Sequence, residues 1–262
     1  MMKNILSGLC FAAFILPVAD PGELSQQMID AASAGSLAQV RRLLAQGAQV
    51  NAKNIIGDTA LHLASLECHA DVVAYLMTQT GVQLQPLDSS GDTPLILAAG
   101  SGCLAAAKLL SDHVDLNVKN ATGESALWKA ATQGRTDVVE FLAGVAEVDL
   151  NSEDTSGITP VWEAAAGGAD GYIESVKSLV ARHAHLEVRG GYGQRTALAQ
   201  ASAQGHLEVV KFLVLSGASR SAKDGAGLTP VQIVCSEWAG LPPEDGGGDC
   251  PSSEILKSLQ GI

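Results

Sequence analysis

The chain has 262 residues, with 16 Lys and Arg against 28 Asp and Glu, which gives a formal net charge of −12. Binding to a phosphate backbone or an anionic lipid surface needs clustered cations, so we expect no nucleic-acid partner. The acidity itself has two interpretations, general solubility or a basic protein partner.

The first nineteen residues have the layout of a secretory signal peptide. Lys3 precedes an apolar run from Ile5 to Ala19, which is shorter than the ~20 residues of a membrane-spanning helix. Ala19 suits the last position before a cleavage site, whereas Pro17 is a poor residue two positions earlier. We predict export to the periplasm or the extracellular medium, with cleavage leaving no membrane-inserted segment. An uncleaved membrane anchor and a cytosolic extension of the N-terminal cap are the alternatives.

A short motif of glycine followed by Thr or Ser then recurs along most of the chain. Its six hydroxyl residues are separated by 34, 32, 34, 37 and 33 positions, and they are Thr59, Thr93, Ser125, Thr159, Thr196 and Thr229. So regular a period indicates an array of stacked units rather than a globule with one central core.

Each copy predicts two helices, and the sixth unit shows this most fully. Thr196 is placed to cap a first helix, and Gly205 to end it in the left-handed conformation. The second helix carries one wide apolar face, formed by Leu207, Val209, Val210, Phe212, Leu213 and Val214.

These motifs resemble the ankyrin repeat, whose turn, Thr-Pro-Leu-His-x-Ala sequence and two helices recur about every 33 residues. The resemblance covers roughly residues 24–235. It implies an all-α solenoid of about seven helix-turn-helix units, joined by β-hairpin-like loops, in one domain over residues 20–262. The predicted units are 24–54 as N-terminal cap, 55–88, 89–120, 121–154, 155–189, 190–224, and 225–262 as a C-terminal cap with an inserted loop at 238–251.

The sequence carries no motif of a nucleophilic or phosphate-binding enzyme site, so we predict no enzyme and no cofactor. The best metal candidate is His183-x-His185, although two imidazoles do not close a zinc site, and exposed turn residues are the simpler interpretation. The resemblance assigns His62 to inter-repeat hydrogen bonds. Trp128 and Trp162 occupy the same position, and we expect them to pack between repeats, with an exposed hot spot as the alternative.

Four cysteines follow the predicted signal peptide: Cys68, Cys103, Cys235 and Cys250. Cys235 and Cys250 bracket the Pro- and Gly-rich insertion, and we predict a disulfide between them, with two free thiols as the alternative. Cys68 and Cys103 lie one repeat apart. For these two, we favour buried packing over a disulfide.

The resemblance implies that a partner binds the concave face, formed by the hairpin tips and the first helices. Ile55, Ile56 and Tyr192 are apolar or aromatic at expected solvent positions. Asp58, Asp92 and Glu124 would form an acidic row along three tips. The remaining candidates are Ile158 and Arg195 on tips, and Glu67 and Gln133 at first-helix ends.

These features together predict a non-catalytic protein-binding scaffold outside the cytosol, acting as a monomer. One alternative is a structural or stress-protective envelope protein, held by an uncleaved N-terminal anchor, that supports an enzyme or membrane complex. A remote alternative is a metal-dependent activity at His183 and His185.

Overall fold

The computed structural model describes residues 20–167, 171–239 and 253–261. The predicted signal peptide and most of the inserted loop lie outside these ranges. Across the described ranges there are fourteen α-helices and no β-strand. None of these helices is long and apolar enough to cross a membrane. In chain order they are α1 (Pro21–Ser33), α2 (Leu37–Ala45), α3 (Ala60–Leu66), α4 (Ala70–Met77), α5 (Pro94–Ser101), α6 (Leu104–Ser111), α7 (Ala126–Thr132), α8 (Thr136–Ala143), α9 (Pro160–Ala166), α10 (Gly171–Ala181), α11 (Ala197–Gln204), α12 (Leu207–Leu215), α13 (Pro230–Ala239) and α14 (Ser253–Gln260).

The helices stack as seven pairs in two layers. The first helices of neighbouring pairs contact one another from α1 through α13, and the second helices do the same from α2 through α14. Each pair is therefore buried mainly against its neighbours, as stacked repeats require. This architecture confirms the predicted all-α solenoid of about seven units. Hairpin-like loops connect the pairs, and one of them carries an antiparallel bridge between Gly190 and Arg195.

Small residues let the first helices approach closely. Ala64, Ala98, Ala130, Ala164 and Ala201 occupy equivalent positions in successive first helices, and all are completely buried. A larger side chain at any of these positions would push two units apart, because protein interiors have little free volume. The alanine rows therefore explain why so few aromatic residues are enough for this core.

The repeated hydroxyl residues cap the first helices, as the sequence predicted. The Thr59 side chain accepts a hydrogen bond from the backbone N–H of His62 at 3.4 Å. Thr93, Ser125, Thr159 and Thr196 accept the same bond in their own units. Each side chain thus satisfies one of the backbone donors that a helix start leaves unpaired.

In three units the glycine of the motif, Gly57, Gly91 or Gly123, is required by the close approach of the neighbouring unit. Gly91 has a φ of 78°, and a Cβ built on it would lie 2.9 Å from the backbone nitrogen of Ala121. Ala121 donates a hydrogen bond from that nitrogen to the Ser90 carbonyl at 2.9 Å. Glycine is thus favoured both by the left-handed backbone and by the close approach of the next hairpin.

The cysteines differ from the prediction at one pair. Cys68 and Cys103 form a disulfide with Cα atoms 5.1 Å apart, so the expectation of buried packing without a bond was wrong. The pair joins the end of α3 to the start of α6 in the next unit. Cys235 is buried in α13. Cys250 lies outside the described residues, so the Cys235–Cys250 disulfide stays a prediction.

Candidate protein-binding surface

One position on the first helices ties a unit to the next at three places in the array. His62 donates from Nε2 to the Asp92 carbonyl at 3.1 Å, while its Nδ1 accepts from the Thr59 backbone N–H at 3.1 Å. Burial lowers the pKa of His62, which keeps the neutral imidazole that this pair of bonds needs.

Two tryptophans take over this role in later units. The indole of Trp128 donates to the Ile158 carbonyl at 3.0 Å, and that of Trp162 to the Arg195 carbonyl at 2.8 Å. Both rings are buried. The structural interpretation of the two tryptophans is confirmed, and an exposed aromatic hot spot at these positions is wrong.

Backbone hydrogen bonds join neighbouring hairpin tips into one row. Ser89 donates its N–H to the Ile56 carbonyl at 3.0 Å, and Thr155 to the Thr122 carbonyl at 3.0 Å. The same contact recurs farther along, from Gly191 to Ser156 at 3.0 Å and from Gly225 to Gly193 at 2.8 Å. The tips are thus held at fixed spacing before any partner arrives.

Large apolar side chains on this row are exposed to solvent. Ile55 and Tyr192 are completely exposed, and Ile56 is also exposed. A shallow cleft of about 380 Å³ lies beside Tyr192, lined by Thr155, Ser156, Gly191 and Gln194. The exposure expected for Ile55, Ile56 and Tyr192 is confirmed.

Leu87 is a further exposed apolar residue that the sequence analysis missed. Its side chain is 47% exposed, and its carbonyl accepts a hydrogen bond from Lys53 Nζ of the preceding hairpin at 2.7 Å. The signal was present in the register, because other units place charged residues there: Lys53, Lys119, Glu153, Arg189 and Lys223. We name Ile55, Ile56, Leu87 and Tyr192 the tip surface.

The acidic row expected along the tips is not an exposed feature. Asp58 and Asp92 are only 4% and 8% exposed, because the next hairpin packs over the residue that follows each glycine. Asp92 accepts a hydrogen bond from the Asn120 side chain at 2.8 Å. Burial raises the pKa of Asp58, an effect that the Asn54 side chain partly offsets. The expectation that these two carboxylates face solvent was wrong.

Two other charged candidates are engaged within the array. Glu124 is half-buried and pairs with Lys129 at 2.6 Å. Burial opposes ionisation there, but the bonds from Lys129 and Asn120 prevail and lower the pKa of Glu124. Arg195 is half-buried and pairs with Asp224 and Glu237, so it links units six and seven instead of projecting freely.

The first helices present a mixed polar surface beside the tips. Glu67 and Gln133 are exposed at helix ends, as expected, while Ile158 is half-buried beneath its hairpin. Glu163 on α9 is half-buried and accepts a hydrogen bond from the Thr132 hydroxyl at 2.8 Å. Burial raises the pKa of Glu163, and the negative charges of Asp154 and Glu124 add to this effect.

The sequence also indicated one candidate metal site, the pair His183 and His185. His183 and His185 are both exposed in the turn after α10. Among the described residues, no three His, Cys, Asp or Glu side chains are grouped closely enough to hold a metal ion.

The chain is similar to known proteins over most of its length. The family model for ankyrin repeats, three copies per match, fits residues 28–120, 108–190 and 127–224. A segment of 114 residues is 34% identical to ankyrin repeat and SAM domain-containing protein 6 of Danio rerio, covering 43% of this chain and 15% of that protein. A segment of 118 residues is 30% identical to a putative ankyrin repeat protein of Rickettsia bellii, covering 44% of this chain and 65% of that one. The chain thus spans less than two thirds of the length of either relative.

A solved structure shows the same architecture. The crystal structure of the ankyrin repeat domain of Bcl-3, described as a unique member of the IkappaB protein family, matches with a TM-score of 0.72 and 26% identity. The match covers 89% of this chain and 97% of that one. Ankyrin repeats are general scaffolds for protein–protein interaction and are typically non-catalytic. With the family model matching well over half of its residues, the chain belongs to the ankyrin repeat family.

Proposed function

We propose that this protein is a non-catalytic scaffold that docks another protein on its tip surface and works outside the cytosol. The observation that carries the proposal is the full exposure of Ile55 and Tyr192 on hairpin tips. Ile55, Ile56 and Leu87 lie on two neighbouring hairpins, and neighbouring exposed apolar side chains typically mark interaction sites. Tyr192 lies four units farther along the same row of tips. Tyrosine is also among the residues that contribute most to interfaces.

The rigidity of the tip row supports the same function. The bonds from Ser89 to Ile56 and from Gly191 to Ser156 fix the backbone on which the exposed side chains stand. Docking then loses little conformational entropy, because the contact residues are already ordered on a stiff backbone.

The net charge and the N-terminal residues support a basic partner and a location outside the cytosol. The net charge of −12 favours a basic surface on the partner and would speed the encounter at low salt. The signal-like residues 1–19 support export, and a disulfide between Cys68 and Cys103 fits an oxidising compartment.

Site-specific photo-crosslinking in the native cells tests the proposal. A photoreactive phenylalanine analogue would replace Ile55, Tyr192 or Leu215 in separate variants. Leu215 is the control, since it is 86% exposed but lies at the end of α12 in the second-helix layer. We expect a crosslinked protein from the two tip positions and none from Leu215. Equal crosslinking from Leu215, or none from the tips, would contradict the proposed docking surface.

A further inference from the structure

Five of the first helices, α1, α3, α5, α7 and α11, end in a turn that contains one residue with a left-handed backbone. Gly35, Gly102, Gly134 and Gly205 have φ values of 69°, 86°, 62° and 81°. Cys68 occupies the equivalent turn of unit two, with a φ of 64°. A residue with a Cβ is disfavoured in this conformation, so Cys68 is an exception that needs a reason.

The residue after this turn normally makes a polar tie to the preceding unit. His69 contacts the Ser33 carbonyl through Nε2 at 2.9 Å, and His206 contacts the Ala166 carbonyl at 3.1 Å. Arg135 donates from Nε to the Gly100 carbonyl at 2.9 Å. Each side chain crosses to the end of the neighbouring first helix and satisfies a carbonyl there.

Cys103 stands at this position in unit three and makes a covalent bond instead. Its backbone N–H donates to Ala98 at 2.8 Å, just as that of His69 donates to Ala64 at 2.8 Å, so the two positions are equivalent. Its side chain is bonded to Cys68, the residue in the glycine position of the preceding unit. The disulfide therefore replaces the polar tie between units two and three.

The glycine and the crossing side chain constrain each other. A Cβ built on Gly35 would lie 2.5 Å from the His69 ring, and one on Gly102 would lie 2.9 Å from Arg135 Cδ. The Cβ of Cys68 has room because its neighbour is a cysteine, whose side chain is shorter than histidine or arginine. The two cysteines thus form one matched substitution for a Gly–His or Gly–Arg pair.

We propose that the Cys68–Cys103 disulfide is a reversible redox clasp, and that a dithiol reductant opens it to loosen the junction between units two and three. In the opened state, Cys68 keeps its unfavourable left-handed backbone, and Cys103 lacks the imidazole or guanidinium that His69, Arg135 and His206 supply at three other junctions. Both features weaken this junction alone, so units one and two separate from the stack more readily than the rest.

The exposure of the two residues sets the direction of attack. Cys68 is exposed, while Cys103 is buried at the N-cap of α6. A thiolate of the reductant attacks Cys68 Sγ, and the Cys103 sulfur leaves as a thiolate that then takes up a proton. The helix N-terminus stabilises this leaving group. The second thiol of the reductant then attacks the reductant's first sulfur, which is bonded to Cys68 in the mixed disulfide. This step closes the disulfide of the reductant and releases Cys68 as a thiol. The protein disulfide gains two electrons and two protons, and the dithiol becomes a disulfide.

Hydrogen exchange with and without dithiothreitol tests the clasp. All proteins would carry Cys10→Ser and Cys250→Ser, so that no other pairing responds. On reduction we expect amides of α1 to α4 and the start of α6 to exchange at least ten-fold faster, with α11 and α12 unchanged. Reoxidation should restore the original rates. Unchanged exchange on reduction, or a uniform increase along the whole array, would overturn the proposal, as would a failure to recover on reoxidation.

The matched variant is Cys68→Gly with Cys103→His, which installs the pair seen at Gly35 and His69. We expect its amides to exchange as slowly as those of the oxidised protein, with no change in rate when dithiothreitol is added. A variant with both cysteines changed to serine should resemble the reduced protein. If the Gly–His variant exchanged as fast as the serine variant, the disulfide would not be a substitute for the polar tie.

Discussion

The indole Nε1 of Trp162 donates a hydrogen bond to the backbone carbonyl of Arg195, 2.8 Å away in the next unit. His62 makes the equivalent bond to Asp92 with an imidazole. An indole and an imidazole thus make the same bond between units, because each ring carries an N–H that reaches a backbone carbonyl of the next unit. Arg195 in turn pairs with Glu237 of the following unit, so its backbone and side chain link three units.

Removal of the Trp162 bond should destabilise the array modestly. Trp162→Phe keeps most of the ring but loses the donor, while Arg195 keeps its second bond from Gly190. We expect a loss of about 1–2 kcal/mol in the free energy of unfolding in urea, from one hydrogen bond and some packing. Tyr192→Ala is the control, and as an exposed change it should stay within about 0.5 kcal/mol. Equal effects of the two substitutions would contradict the assigned role.

His62 should make stability depend on pH. Its pKa in the unfolded chain is near 6.5, and burial lowers the folded value. Between the two values the unfolded state binds more protons, so stability is full above about 6.5 and falls as the pH decreases. His62→Gln is the matched variant, since Gln232 serves as the capping acceptor for Thr229 in unit seven. The wild type should lose more stability than this variant between pH 7.5 and 5, roughly the range around an ordinary histidine pKa. Parallel pH profiles would show that His62 is not the group concerned.

Glu163 should have the opposite dependence. Its pKa is raised above 4.5, so the folded state binds more protons in that window, and stability falls as the pH rises through it. Glu163→Gln keeps an acceptor for Thr132 without the charge, and we expect it to be more stable than the wild type at neutral pH. The gain should shrink toward pH ~4, close to the ordinary carboxyl pKa. Thermal unfolding at both pH values measures this, and a constant difference would refute the argument.

Leu213 and Leu215 of α12 should differ in their response to truncation. Leu213 is completely buried, and Leu213→Ala should cost about 2–5 kcal/mol because it leaves a cavity between units. Leu215 is exposed on the same helix, so Leu215→Ala should change the free energy of unfolding by less than about 0.5 kcal/mol. Similar losses at both positions would mean that the assigned helix face is wrong.

The sequence predicted well those features that each unit repeats. The caps at Thr59 and Thr196, the glycine turns and the apolar face around Leu213 follow from local rules that apply within one unit. Contacts between units were harder to predict. The burial of Asp58 and Asp92 comes from the neighbouring hairpin, and the register alone does not show how closely that hairpin approaches.

The disulfide was missed for a related reason. Cys68 and Cys103 were recognised as near neighbours, but the comparison that reveals their pairing is between the positions of different units. Cys68 stands where glycines stand elsewhere, and Cys103 where His69 and Arg135 stand. Only the side chains that cross between units show that these two positions touch.

Affinity capture with three baits tests the central claim most directly. The baits are the wild type, a tip variant with Ile55→Asp and Tyr192→Ala, and a control with Leu215→Asp, which alters another exposed side chain away from the tips. All three should show the same thermal unfolding, since every substituted side chain is exposed. Quantitative mass spectrometry of proteins captured from the extracellular or envelope fraction should find one partner enriched by the wild type and by the control. The tip variant should recover at least ten-fold less of it. Equal recovery by all three baits would show that a partner docks elsewhere on the array and would contradict the account.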